Sequence, residues 1–177
     1  LESDGETTPT MYQIGTDLGF LQEVVPIGPG QDTDSLLLGP AERADVLVDF
    51  SNHAGETITV TNDAAFPFGS PGDTGTNLPE LAQFQVRDAD PEAPVVDPTA
   101  LRLPGPEPFP EESAVRTRQM GLDTGPLNGL DSHFLDEEGG RDAPGEHWGD
   151  PILTRPQVGT TEIWELENRT GDAHPIH

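Results

Sequence analysis

Thr57-Ile58-Thr59-Val60-Thr61 decides the fold class. Every residue in it is β-branched, and its two aliphatic side chains stand two positions apart. A strand therefore sends both to one face and the three hydroxyls to the other. The same period runs upstream in Ala44-Asp45-Val46-Leu47-Val48-Asp49-Phe50, where Ala44, Val46, Val48 and Phe50 share the apolar face. Outward from these, Met11 to Ile14, Leu21 to Ile27 and Leu81 to Val86 read as further short strands. They are punctuated by Asp17-Leu18-Gly19, Gly28-Pro29-Gly30, Gly39-Pro40 and a Gly/Pro-rich loop over 64–79. Ala114 to Met120 and Thr160 to Asn168 add two more. The last puts Glu162, Trp164 and Leu166 on one face, and Thr161, Ile163 and Glu165 on the other. No stretch keeps a helical period. Short strands at roughly ten-residue spacing predict an all-β fold, a sandwich or barrel.

Composition sets limits on that fold. Among 177 residues, 40 are Leu, Ile, Val or Phe, while Gly and Pro contribute 20 and 19, so a lean core must hold together a turn-rich chain. The longest aliphatic cluster, Leu36-Leu37-Leu38, is far short of a membrane span. Leu1-Glu2-Ser3-Asp4 has neither the basic nor the apolar region of a signal peptide. Cys is absent, which excludes disulfides, thiolate metal sites and thiol catalysis within these residues.

The net charge is −25, from 33 acids against eight basic residues, all of them Arg. Such a charge repels DNA, RNA and anionic membranes, so neither nucleic acid nor membrane is expected as a partner. The complete lack of Lys makes the surface more anionic and more hydrated. This pattern predicts a halophilic protein, whose self-repulsion molar salt screens.

Residues 88–112 change character. Pro stands at 91, 94, 98, 104, 106, 108 and 110, where it fixes φ and removes donors, so this stretch cannot join a ladder. It predicts a Pro-rich linker over 89–112 between one domain at 1–88 and a second at 113–177. Within the second, 125–150 is rich in Gly and acid and reads as a solvated loop. Its acids Asp136, Glu137, Glu138, Asp142, Glu146 and Asp150 match no Ca²⁺-loop template. No internal repeat, phosphate loop or Ser nucleophile elbow is present.

Three segments, in order, carry a resemblance. They are Gln13-Ile14-Gly15-Thr16-Asp17-Leu18-Gly19-Phe20-Leu21, then Leu38-Gly39-Pro40-Ala41-Glu42-Arg43-Ala44-Asp45-Val46-Leu47-Val48-Asp49-Phe50. The third is Gly159-Thr160-Thr161-Glu162-Ile163-Trp164, followed by His174-Pro175-Ile176-His177. Together they resemble the multicopper oxidases, in the three-domain laccase group that includes bacterial spore-coat laccases and bilirubin oxidase. The middle segment is similar to that family's P-A-E-R-x-D run. The last resembles the opening of its H-P-x-H-x-H copper motif.

The resemblance implies cupredoxin-like Greek-key β-sandwiches. Residues 1–88 would be the C-terminal part of the second domain, and 113–177 the N-terminal part of the third. It implies a fragment of a copper-dependent oxidase that takes single electrons from phenolic or similar small-molecule donors at type-1 copper. O₂ would be reduced to water at a trinuclear cluster. His174 would ligate the type-1 copper and His177 the type-2 copper of that cluster, with Pro175 fixing the backbone between them. His-x-His spacing on a strand sends two imidazoles to one side, while a His set apart by Pro can turn elsewhere, so one segment serves two centres. A type-1 site needs two His and a Cys thiolate, so these residues alone are expected to hold no functional copper site, and the fragment to be inactive. The remaining cupredoxin domains of the same chain would supply the other ligands. The family also implies an extracytoplasmic or secreted location. The rival expectation is a non-catalytic acidic extracellular β-sandwich module that binds or spaces.

Other candidates read as structural. His147-Trp148-Gly149-Asp150-Pro151 resembles a turn of the family ahead of its Gly-Thr-Thr strand. His53 reads as a hairpin or loop position, and His133 as surface. Glu42, Arg43 and Asp45 read as an ion-pair network. Asn168-Arg169-Thr170 fits a glycosylation sequon, but its turn context already explains it. Met11 and Met120 are too few and too far apart for a Met-rich cuprous path.

Overall fold

The computed structural model describes residues 1–65, 78–88, 90–94, 96–127, 130–137, 154–171 and 173–176. It falls into two compact units, Leu1–Pro106 and Glu107–His177. Among the described residues the regular structure is nine strands and two short 3-10 turns, at 98–100 and 111–113, with no α-helix. The fold is all-β, of the cupredoxin-like sandwich class.

Unit 1 holds two three-stranded antiparallel sheets. One is ordered β1 (Glu2–Ser3), β5 (Thr57–Thr61), β6 (Glu80–Gln85). The other is ordered β3 (Gly19–Ile27), β2 (Met11–Thr16), β4 (Ala44–Val48). The alternation of β5 does what its sequence predicts: Ile58 is completely buried. Ile27, at the end of β3, is buried as well. Phe50, just past β4, meets Phe84 of β6 with ring centroids 5.5 Å apart, which joins the edges of the two sheets. Pro26 lies in β3, an edge strand, where its missing N–H interrupts no central ladder. The first part of the Pro-rich stretch packs on unit 1. Gln22 Nε2 donates to the Pro106 carbonyl at 3.1 Å, and Gly105 lies so close to the Leu21 backbone that a Cβ there would collide with it. The described residues of 88–113 contribute no strand.

Unit 2 is one sheet, ordered β8 (Leu130–Glu137), β7 (Ala114–Leu127), β9 (Thr161–Asn168). β7 runs antiparallel to β8 and parallel to β9. Two expectations for this unit need correction. The strand at 114 continues to Leu127, and residues 130–137 form a strand where an acidic loop was expected, with Asp136 half-buried in it. Phe134 and Leu135 are adjacent rather than alternate, so no two-residue period announces β8. It forms because β7 offers it a full antiparallel ladder, from Met120 opposite Glu137 to Leu127 opposite Leu130. Among the described residues of this sheet, Met120 is the buried apolar side chain and Arg118 the buried charged one. Residues 138–153, which carry His147, Trp148 and the other acids of that loop, lie outside the described residues.

Candidate metal centre and its supports

β9 and the turn after it position the candidate site. Along β9, Glu162 and Trp164 share a face, as the alternation predicts, and Trp164 Nε1 donates to Glu162 Oε2 at 3.1 Å. Across the parallel ladder, Arg118 of β7 grips the same carboxylate with two nitrogens, at 2.5 and 3.1 Å. Both side chains are enclosed, 6% and 8% exposed. The guanidinium, followed by the indole N–H, holds the Glu162 carboxyl below its ordinary value. This fork bolts the start of β9 to β7, at the end of the strand away from the turn.

The turn has its own fastenings. Arg169 N–H donates to the Leu122 carbonyl at 2.9 Å. Its guanidinium reaches Glu167 at 2.8 Å and Asp123 at 3.0 Å, and those two carboxylates raise its pKa, Glu167 more than Asp123. The guanidinium lies flat against Gly121, where any Cβ would strike it. On either side of Arg169, Asn168 Oδ1 accepts from both Thr170 N–H (3.0 Å) and the Thr170 hydroxyl (2.7 Å). This Asx turn is the reason for the Asn-x-Thr pattern. Four residues on, His174 Nε2 lies 2.8 Å from the Thr170 hydroxyl oxygen. His174 is half-buried. Its companion His177 lies outside the described residues.

Among the described residues no three His, Asp or Glu gather as a metal cage. An imidazole is a ligand type that suits copper, and the His174 ring has the Thr170 hydroxyl oxygen 2.8 Å from its Nε2, so the residue present fits that metal as one ligand among several.

The other candidates resolve into structure. His53 is buried at 5% exposure, its Nδ1 2.7 Å from Glu56 Oε2, the same oxygen that accepts from the Ser3 hydroxyl at 2.7 Å. Ser3, His53 and Glu56 are not a nucleophile–base–acid relay, because the hydroxyl binds the acid rather than the imidazole. They clamp β1 to the 53–56 turn, and His53 foremost, then Ser3, hold the Glu56 carboxyl below its ordinary value of 4.5. Arg43 pairs with Asp17 (2.9 Å), not with its sequence neighbours, and Glu42 accepts from Gly39 N–H at 2.6 Å. Arg43 and Glu42 thus fasten two turns, a structural role, though with Asp17 and a backbone N–H as partners where a network with Asp45 was expected. Sequence reasoning passed over Asn168 and Thr170 as bare turn residues. Their spacing to His174 was the available signal.

Along its length the chain is similar to curated laccases and other multicopper oxidases. It is 47% identical to the laccase of Haloferax volcanii across its full length, covering 28% of that protein. With 93% of its residues aligned in each case, it is 33% identical to the laccase of Bacillus subtilis and 34% identical to the bilirubin oxidase of Albifimbria verrucaria. It covers 29% and 26% of them, so it spans under a third of the length of these curated relatives. No protein-family model matches the chain.

Proposed function

We propose that these residues serve a laccase-like oxidase in which His174 is a ligand of type-1 copper and His177 a ligand of type-2 copper in the trinuclear cluster. The observation that carries the assignment is the His174 ring against the Thr170 hydroxyl, at the end of a chain that is 33% to 47% identical to three oxidases over at least 93% of its length. Residues 1–88 would belong to the second cupredoxin-like domain and 113–177 to the third, with the remaining domains completing both centres. Bound copper supplies one-electron redox chemistry. This chain's own residues would present imidazoles to it, with Arg118, Glu162 and Trp164 bracing β9 and Arg169 tying the following turn to β7. Four one-electron withdrawals from a phenolic or similar donor balance the reduction of one O₂ to two waters. Extracytoplasmic operation accords with the acidic surface and with free access of both substrates.

The test is copper loading of the full-length protein, with O₂ uptake measured against a phenolic donor. Intense blue colour and donor-dependent O₂ consumption support the reading. A copper-loaded protein that is colourless and consumes no O₂ overturns it, and leaves a binding or spacing module.

A further inference from the structure

The strands at the edges of the sheets differ in how they are closed. An unpaired edge offers its N–H and C=O groups to any other strand, and native sheets blunt it with shortness, Pro, charge or a covering segment. In unit 1, β1 is two residues long. β3 carries Pro26, and Gly105 lies against its backbone at Leu21. β4 has Asp45 within it. In unit 2, Asp136 stands within β8, and Glu165 and Glu167 within β9. Among the described residues β6 has no such guard. Its sequence, Glu80-Leu81-Ala82-Gln83-Phe84-Gln85, holds no Pro, and its one charge is at the first position. It is the last strand of its sheet, and all six residues are exposed. Leu81 is 54% exposed, and Phe84 is 46% exposed although its ring meets Phe50.

The direction of its backbone groups follows from the ladder. Val86 N–H donates to the Glu56 carbonyl, and Gly55 N–H to the Val86 carbonyl, each at 2.9 Å, so both polar groups of Val86 face the β5 side. Bonded and non-bonded pairs alternate in an antiparallel ladder. Phe84 opposite Ile58 and Ala82 opposite Val60 therefore bond to β5, and the N–H and C=O of Gln83 and Gln85 point away from it.

We propose that the outer edge of β6 is a docking edge whose occupant is a strand of the same polypeptide from outside residues 1–177, joined to the sheet by backbone pairing at Gln83 and Gln85. The chain covers 28% of the Haloferax volcanii laccase, a difference in length that leaves room for further strands. The sheet itself is short of them: it has three, one of only two residues, where about four to six are usual. A second copy would bring another charge of −25 to the same edge, whereas a strand of the same polypeptide arrives at the high effective concentration of a tethered partner. The incoming strand would also cover Leu81 and Phe84 with its own side chains. The proposal rests on the reading of these residues as part of a longer laccase-like oxidase.

Amide hydrogen exchange on the full-length protein is the test. In protein shown by light scattering to be monomeric, the Gln83 and Gln85 amides should exchange on the order of 1000-fold or more slower than in an unstructured peptide. Gln83→Pro removes an N–H that a free edge does not use and a paired edge does, so it should lower the thermal midpoint, while Gln83→Thr leaves it nearly unchanged. Free exchange at either amide, or a Gln83→Pro variant that melts with the unsubstituted protein, overturns the proposal. Protection that disappears as a dimer is diluted to monomer overturns it too, in favour of a second copy. Should Gln83→Pro fail to fold, exchange in the unsubstituted protein decides. A full-length protein that turns blue with copper yet exchanges freely at these amides has lost the docking edge alone; one that stays colourless with copper yet is protected at both keeps the docking edge and has lost the oxidase reading.

Discussion

At the scale of single residues, Ile58 and Glu56 stand at opposite ends of what a side chain contributes. Ile58 is fully enclosed on the middle strand of its sheet, so Ile58→Ala removes buried methylenes and opens a cavity. It should cost about 2–5 kcal/mol of stability, read from the shift in denaturant midpoint. Glu56 contributes through its charge. Its folded-state pKa is lowered by His53 and Ser3 against the opposing charge of Asp4. As pH falls, the unfolded chain protonates first, near the ordinary value of 4.5, and the stabilisation fades through the lower folded value. Glu56→Gln should flatten stability between about pH 5 and the folded pKa relative to the unsubstituted chain, in acid titrations followed by circular dichroism. An unchanged acid limb would show that this carboxylate contributes nothing. Ile58 could be read from the two-residue period alone. Glu56 could not, because its partners are separated from it by 3 and 53 positions and meet only when β1 pairs with β5.

Among the elements, β7 and β9 hold the second unit. Their ladder is parallel and is crossed by the Arg118–Glu162 fork. Removing one partner leaves an enclosed charge unsatisfied, whereas removing both does not. Arg118→Met should therefore lower the thermal midpoint clearly, and Arg118→Met with Glu162→Leu should recover much of the loss in a double-mutant cycle. Additive losses would contradict the fork. Gly121→Ala should act on the turn instead. Its new Cβ displaces the Arg169 guanidinium, for a cost of about 1–3 kcal/mol. Strands with strict alternation, such as β5 and β9, were legible in the sequence. β8 was not, since pairing with β7 overrides a local pattern that points to loop. The Thr170 hydroxyl beside the His174 ring was not legible, because the Asn168–Thr170 turn chemistry looks like an ordinary chain reversal.

For the whole molecule, the charge of −25 with no Lys governs behaviour in solution. Like charges packed on a small surface oppose folding at low salt, and a Debye length that shrinks to about 3 Å at 1 M removes most of that repulsion. The Haloferax volcanii relative accords with such an environment. The thermal midpoint should climb steadily from about 0.1 M to molar NaCl, and a flat salt profile would contradict the halophilic reading. The most direct measurement is the visible spectrum of the copper-loaded full-length protein beside that of its His174→Ala variant. Intense blue absorbance that vanishes with the imidazole is the predicted result. A colour retained in full by the variant would contradict the account.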